Sequence, residues 1–249
     1  KRRHGGRGRG GIASAAACCS SLLNLSSLVT FTITNVLLLL TPAAALSEKE
    51  VLDHLYTSLN GDNWDRPWDT SSSDICNDSK YNGVTCTSEG NVSELTLADN
   101  NMAGAISPYL YTMPYLKRID FSKNQITGAG WDKIDDVFSA GDLLANIEVI
   151  DLTNNLINTV DGVSKLKDTL EGLHMTYNNL KGDMPPELFL LKQLEILAIS
   201  ENELSGKIDT RLGDLTNLLE FYCYGNKITG TIPSEIGKLT KMQIITVRV

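Results

Sequence analysis

From residue 92 onward the chain repeats one order of apolar positions, Leu-x-x-Leu-x-Leu-x-x-Asn-x-Leu in idealised form. Six units open at Val92, Leu116, Ile147, Leu170, Leu194 and Leu218, and a seventh opens at Met242. The openings lie 24, 31, 23, 24, 24 and 24 residues apart. The alternating Leu-x-Leu predicts a short strand whose alternate side chains turn inward. Each strand ends on an asparagine (Asn100, Asn124, Asn155, Asn178, Asn202 and Asn226) whose amide can bond the backbone of the turn and of the adjacent coil. Four residues later there is Gly in five of the six units, at 104, 128, 182, 206 and 230. That suits a turn with positive φ or no room for a side chain. Leu188, Leu191 and Leu194, like Leu212, Leu215 and Leu218, carry the apolar rhythm to the far side. No unit can bury this face alone, but stacked units can. The pattern predicts a solenoid with a parallel sheet along one side, about 30 Å long for seven strands at about 4.8 Å spacing.

Before the array, Ser47-Glu48-Lys49-Glu50 is a capping box, and Leu46 and Val51 are spaced as a hydrophobic staple. Val51, Leu52, Leu55, Tyr56 and Leu59 share one helical face, and Asn60-Gly61-Asp62 ends the helix. A loop-like stretch with Trp64, Trp68, Cys76 and Cys86 follows. In a secreted chain Cys76 and Cys86 are suited to a disulfide. A metal site is disfavoured, because there is no Cys-x-x-Cys and His54 and His174 stand alone. Cys223 falls at an inward repeat position and reads as a buried structural thiol.

Charge divides the chain. The net charge is −8, yet residues 1–45 hold five basic residues and no acidic one, leaving 17 basic against 30 acidic residues beyond them. An acidic body argues against a nucleic-acid binder. Residues 1–45 have a basic start, an apolar middle densest at Val36–Leu40, and Ala43 and Ala45 spaced as a cleavage site. They read as a secretory signal; an uncleaved membrane anchor and an organelle transit peptide are the alternatives. Within this head Gly6-Arg7-Gly8-Arg9-Gly10-Gly11 matches a dinucleotide-binding pattern, but no strand precedes it. Cys18 and Cys19 would leave with the signal.

The chain resembles the plant-type leucine-rich-repeat proteins over residues 47–249. The tail Asn226-Lys-Ile228-Thr-Gly230-Thr-Ile232-Pro233 fits their signature in full, and Asn178 to Pro185 fits with Met184 in place of Ile. The stretch Asn60-Gly61-Asp62-Asn63-Trp64, Trp68 and Cys76…Tyr81-Asn82-Gly83-Val84-Thr85-Cys86 resembles the family's N-terminal cap. The resemblance implies an α/β solenoid, a right-handed leucine-rich-repeat superhelix with a parallel β-sheet on its concave face and a helical, disulfide-bonded N-terminal cap. It also implies a Cys76–Cys86 bridge and places Trp64 and Trp68 over the end of the repeat core. The expected division is a signal at 1–45, a cap at 46–91 and the solenoid at 92–249. Two units depart from the pattern. The second has extra residues around Trp131–Leu144, where Ile134, Val137, Phe138 and Leu143 suggest a convex-side helix. The third has Thr159, Val160 and Asp161 in place of Gly and Ile-Pro, which predicts a local change of curvature.

On the face of the sheet turned from the core, the row between the two inward positions reads Thr96, Asp120, Asp151, His174, Ala198, Tyr222 and Thr246. His174, Tyr177, Tyr222 and Tyr224 gather toward the later units, near Glu195 and Glu220, and form the candidate ligand-binding group. His174 has no nucleophile motif beside it and an open face does not exclude water, so no catalytic role, cofactor or metal is assigned. Asn77-Asp78-Ser79 and Asn91-Val92-Ser93 are glycosylation sequons; Asn24-Leu25-Ser26 lies in the signal. These features predict a secreted or cell-surface, non-catalytic recognition module that binds a protein, peptide or glycan, with no nucleic-acid partner. An ectodomain fragment of a receptor-like protein or kinase, attached to a membrane through an uncleaved head or a segment beyond Val249, is one alternative. A secreted inhibitor of carbohydrate-degrading enzymes is another. No kinase motif occurs up to Val249.

Overall fold

Helix α1 (Glu48–Ser58) starts on a complete capping box: Ser47 Oγ accepts from the Glu50 N–H, and a Glu50 carboxylate oxygen accepts from the Ser47 N–H at 2.7 Å. In this computed structural model the described residues are 46–138 and 144–248. The expected signal, Cys18, Cys19, the Asn24 sequon and Leu143 lie outside them. Val51, Leu52, Leu55 and Leu59 of the helical stripe are buried. Trp64 and Trp68 pack edge to face with ring centres 5.0 Å apart, and their indole N–H groups donate to the Leu59 and Asn82 carbonyls. Both are buried, as their proposed place over the core requires. Cys76 and Cys86 form a disulfide.

The repeats lay down the strands β2 (Val92–Thr96), β4 (Arg118–Asp120), β6 (Val149–Asp151), β7 (Gly172–His174), β9 (Ile196–Ala198), β11 (Glu220–Tyr222) and β12 (Ile244–Thr246). They pair in parallel, and the register repeats without slippage: Leu95 stands beside Ile119, then Ile150, Leu173, Leu197, Phe221 and Ile245. An eighth strand, β1 (Val84–Cys86), was not evident from the repeat pattern; it pairs antiparallel with β2 and forms the sheet edge. Stacking on both sides is what removes the inward residues from water. Phe221 is fully buried, whereas Ile245, paired with β11 alone among the described strands, is 41% exposed.

An asparagine closes the strand of each of the first six units. Asn202 Oδ1 accepts from the Leu180 N–H of the preceding unit at 3.0 Å, while its Nδ2 donates to Met175 O at 2.9 Å and Ile199 O at 3.1 Å. Asn155, Asn178 and Asn226 repeat this arrangement. Asn124 adds a second accepted bond, from both Asn100 N and Met102 N. The first member differs because no repeat precedes it. Asn100 Oδ1 accepts from the Arg66 N–H of the cap at 2.9 Å, and its buried Nδ2 has no partner. The Arg66 guanidinium donates to Ala98 O at 2.6 Å nearby.

Opposite the sheet the chain returns mostly through 3₁₀ turns such as Pro108–Thr112, Pro186–Leu190 and Thr210–Asp214. Leu188 and Leu191, and Leu212 and Leu215, are three apart, so a three-residue turn keeps each pair on the buried side. The expected convex helix is short: a 3₁₀ turn, Trp131–Lys133, runs into α2 (Ile134–Val137). Trp131 and Ile134 are buried, while Val137 and Phe138 are half-buried. The repeat tails form two further pairs, β3 (Ala103–Ala105) with β5 (Gln125–Gly128) and β8 (Lys181–Gly182) with β10 (Glu203–Leu204). The third unit, the one without Gly and Ile-Pro, separates them.

Two stability measurements test these contacts. Asn202→Ala leaves the Leu180 N–H without a partner and removes one of the two amide donors at each of the Met175 and Ile199 carbonyls, which keep Asn178 and Asn226; it should cost about 2–3 kcal/mol in urea unfolding, whereas Asn100→Ala should cost about 1–2 kcal/mol. Glu48 accepts from the Val92 N–H at 2.9 Å and so ties α1 to β2; burial nonetheless holds its carboxyl above the ordinary 4.5. A carboxyl raised on folding weakens the fold once pH exceeds its unfolded value. Glu48→Gln keeps an acceptor for Val92 and should raise the melting temperature at pH 7, with the gain disappearing as pH falls below about 4.5.

Candidate functional site

The residue after the first Leu of each unit continues the inter-strand ladder one step before the strand proper. Glu148 N donates to Lys117 O, Glu171 N to Glu148 O and Glu195 N to Glu171 O. The backbone register thus sets Glu148, Glu171 and Glu195 on successive strands, about 4.8 Å apart. Of this row the sequence-derived candidates include Glu195 alone. With the whole row included, the outward positions of units one to six carry seven carboxylates (Glu94, Asp120, Glu148, Asp151, Glu171, Glu195 and Glu220) against Lys117 and Arg118. Glu148 alone of the seven forms an ion pair among the described residues, with Lys117 at 2.7 Å, and this carboxylate raises the Lys117 pKa. Like charges side by side on neighbouring strands oppose folding slightly.

A hollow of about 220 Å³ lies on this face over the first four units, lined by Glu94, Thr96, Arg118, Asp120, Val149, Asp151 and His174 among others. Its two aspartates are held by their own turns. Asp120 Oδ1 accepts from the Ser122 N–H and Oγ–H at 3.0 and 2.7 Å, and Asp151 Oδ1 accepts from the Thr153 N–H at 2.8 Å. Neither Oδ2 accepts a hydrogen bond among the described residues. The His174 imidazole lies close over Gly172, where an added Cβ would stand 3.6 Å from its Nε2 and 3.3 Å from Val149 Cγ1. Arg118 supplies the one cation lining the hollow.

The sequence-derived candidates occupy the same face but not one cluster. His174 and Tyr222 share a row with Ala198 between them. Tyr222 donates its hydroxyl to Glu220 at 2.8 Å, which raises the phenol's pKa. Tyr224 is exposed at the end of the β11 unit, and none of the four rings stacks on another among the described residues. Glu195 belongs to the glutamate row. The Cys223 thiol is buried and pushed up to about 12, so it is chemically quiet.

Tyr177 has a further distinction. In all six units the residue before the asparagine is left-handed: Asp99, Lys123, Asn154, Tyr177, Glu201 and Gly225, with φ between 50° and 67°. This conformation aims the N–H at the next unit, as in Tyr177 N to Ser200 O at 3.1 Å. Glycine takes it freely, asparagine and aspartate readily, and a bulky aromatic at a cost of about 1–2 kcal/mol. Tyr177 is also 55% exposed. The Gly signal four residues after each asparagine marks a different turn; Gly104 there has φ 124 and no room for a side chain against the Ser58 carbonyl.

This architecture defines the class: the chain is a leucine-rich-repeat solenoid. Residues 217–239 match the family model described as Leucine Rich Repeat. The repeats are of the plant type. The structure is similar to the Arabidopsis receptor kinase HAESA, solved in complex with the peptide hormone IDA and the co-receptor SERK1, with TM-score 0.64 and 26% identity over 80% of this chain and 33% of that one. It is similar to PEPR1 in the PEPR1–AtPEP1 structure, with TM-score 0.62 and 26% identity over 79% of this chain and 27% of the other. The plant peptide hormone receptor RGFR1, in complex with RGF2, gives TM-score 0.51 and 30% identity over 63% and 24% of the two chains. The chain therefore spans about a third or less of these structures.

Replacing the strained tyrosine separates stability from recognition. Tyr177→Asn should raise unfolding stability by about 1 kcal/mol or less by urea denaturation. An unchanged or lower value would mean that ring contacts offset the backbone cost.

Proposed function

We propose that the chain is a non-catalytic recognition module, the ligand-binding part of an extracellular or cell-surface receptor-like protein, and that it holds an extended peptide or protein segment across the open face of its sheet. The observation that carries this reading is the uncompensated charge of that face: six outward carboxylates without an ion-pair partner among the described residues, beside exposed Tyr224 and half-exposed Tyr222 and His174. A fold gains nothing from such a row, whereas a partner with positive charge is steered to it and held. The arrangement therefore favours a basic segment, with Asp120 and Asp151 each offering a free carboxylate oxygen to an ammonium or guanidinium group. The tyrosines suit the apolar part of such a ligand.

Two further observations support the setting. The Cys76–Cys86 disulfide belongs to an oxidising compartment. The similar plant receptors were solved with a peptide hormone or co-receptor bound. No helix among the described residues is long and apolar enough to cross a membrane.

Binding to extended peptides that differ only in net charge tests the reading. Affinity should rise with positive charge and fall with added salt. Glu171→Gln with Glu195→Gln, and separately Tyr222→Ala with Tyr224→Ala, should each weaken a bound basic peptide about five- to tenfold. A partner indifferent to both pairs and to Asp120→Asn with Asp151→Asn binds elsewhere.

A further inference from the structure

The two sequons outside the head have different fates in the folded chain. Asn77 is exposed, one residue from the disulfide, in a turn fixed by its own backbone: its carbonyl accepts from Lys80 N at 2.8 Å and Tyr81 N at 2.9 Å. Its side-chain Oδ1 accepts from both the N–H and the Oγ–H of Ser79, at 3.1 and 2.7 Å. Its Nδ2 makes no hydrogen bond among the described residues. An amide nitrogen is a poor nucleophile because its lone pair is shared with the carbonyl. Two donors on Oδ1 stabilise the negative charge that this oxygen gains when Nδ2 loses a proton and becomes nucleophilic.

Asn91 is half-buried and closes the β1–β2 hairpin, where its carbonyl accepts from Thr87 N at 2.8 Å. The hydroxyl of its sequon is engaged elsewhere: Ser93 lies within β2 and donates to Thr85 O of β1 at 3.2 Å. The group that assists at Asn77 is withheld at Asn91 by strand pairing.

We propose that Asn77 is an N-glycosylation site and that Asn91 stays bare. In the transfer, Nδ2 attacks C1 of a sugar carried on a lipid pyrophosphate. The N–C1 bond forms, the C1–O bond breaks with its electron pair leaving on the lipid pyrophosphate, and the Nδ2 proton passes to a base of the transferase. Asn77 adjoins Cys76, whose disulfide partner lies in the edge strand β1. Tyr222 stands six strand steps away, about 29 Å at about 4.8 Å per step. A glycan at Asn77 therefore lies far from the Tyr222 end of the proposed binding face.

The inference rests on the reading of the chain as exported, and the test separates the two. The full chain is expressed in eukaryotic cells behind a supplied secretion signal. Secreted protein is treated with peptide N-glycosidase in ¹⁸O water and mapped by mass spectrometry. Beyond the head one labelled site is expected, at Asn77; Asn77→Gln and Ser79→Ala should each abolish the label at position 77, and Asn91→Gln should leave it unchanged. A bare Asn77 on secreted, disulfide-bonded protein overturns the inference wherever the native chain resides, and a glycan on Asn91 overturns the selectivity.

Discussion

The strands of the first six units end beside buried or half-buried asparagine turns, where backbone groups have little water to bond. The repeat asparagine resolves this. One amide offers two donors and an acceptor, so a single side chain can satisfy carbonyls of its own and the preceding unit together with an N–H of the preceding one. The rest of the stacking depends on it, because the aliphatic core would attract neighbouring units in many offsets and only the amide pattern demands one. The register is accordingly invariant from β2 to β12. The first position shows the rule from its exception. Asn100 has the cap in place of a repeat, bonds it through Arg66, and keeps one N–H unpaired.

Because the core and the asparagines settle the stacking, the outward residues are released from structural duty. That freedom lets the face collect seven carboxylates and leave six of them without an ion-pair partner among the described residues. The charge is tolerated because the side chains stand in water, where repulsion at strand spacing is weak. It is also why this face is the natural place to look for recognition: a constraint met elsewhere leaves its chemistry open to other uses.

The repeat units, their inward and outward rows, the capped helix and the Cys76–Cys86 pair could all be read along the chain, since each depends on spacing a few residues long. Other features could not. Strand β1 exists because β2 offers it an edge, and Val84-Thr85-Cys86 carries no repeat signal. The expected helix near Trp131 is short among the described residues, since Trp131 and Ile134 already bury its apolar side. The left-handed residue before each asparagine is Lys, Tyr or Glu in three units, types that give no warning of that conformation. Of the glutamate row only Glu195 was assigned to this face from the sequence; Glu148 and Glu171 were not, because the row precedes the strand by one position.

The sequence by itself determined the number of units, the inward positions and the class of fold, because periodic burial is written locally and every copy repeats it. Only the tertiary structure decided which outward residues are neighbours. Residues 23, 24 or 31 apart meet through the register, and that register comes from the asparagine bonds between units. Glu148, Glu171 and Glu195 form a row, and Asp120, Asp151 and His174 share a hollow, for that reason alone. Tertiary pairing also separates the two sequons: their local motifs are alike, but the β1–β2 pairing commits the Ser93 hydroxyl to Thr85, whereas the Ser79 hydroxyl donates to Asn77 itself.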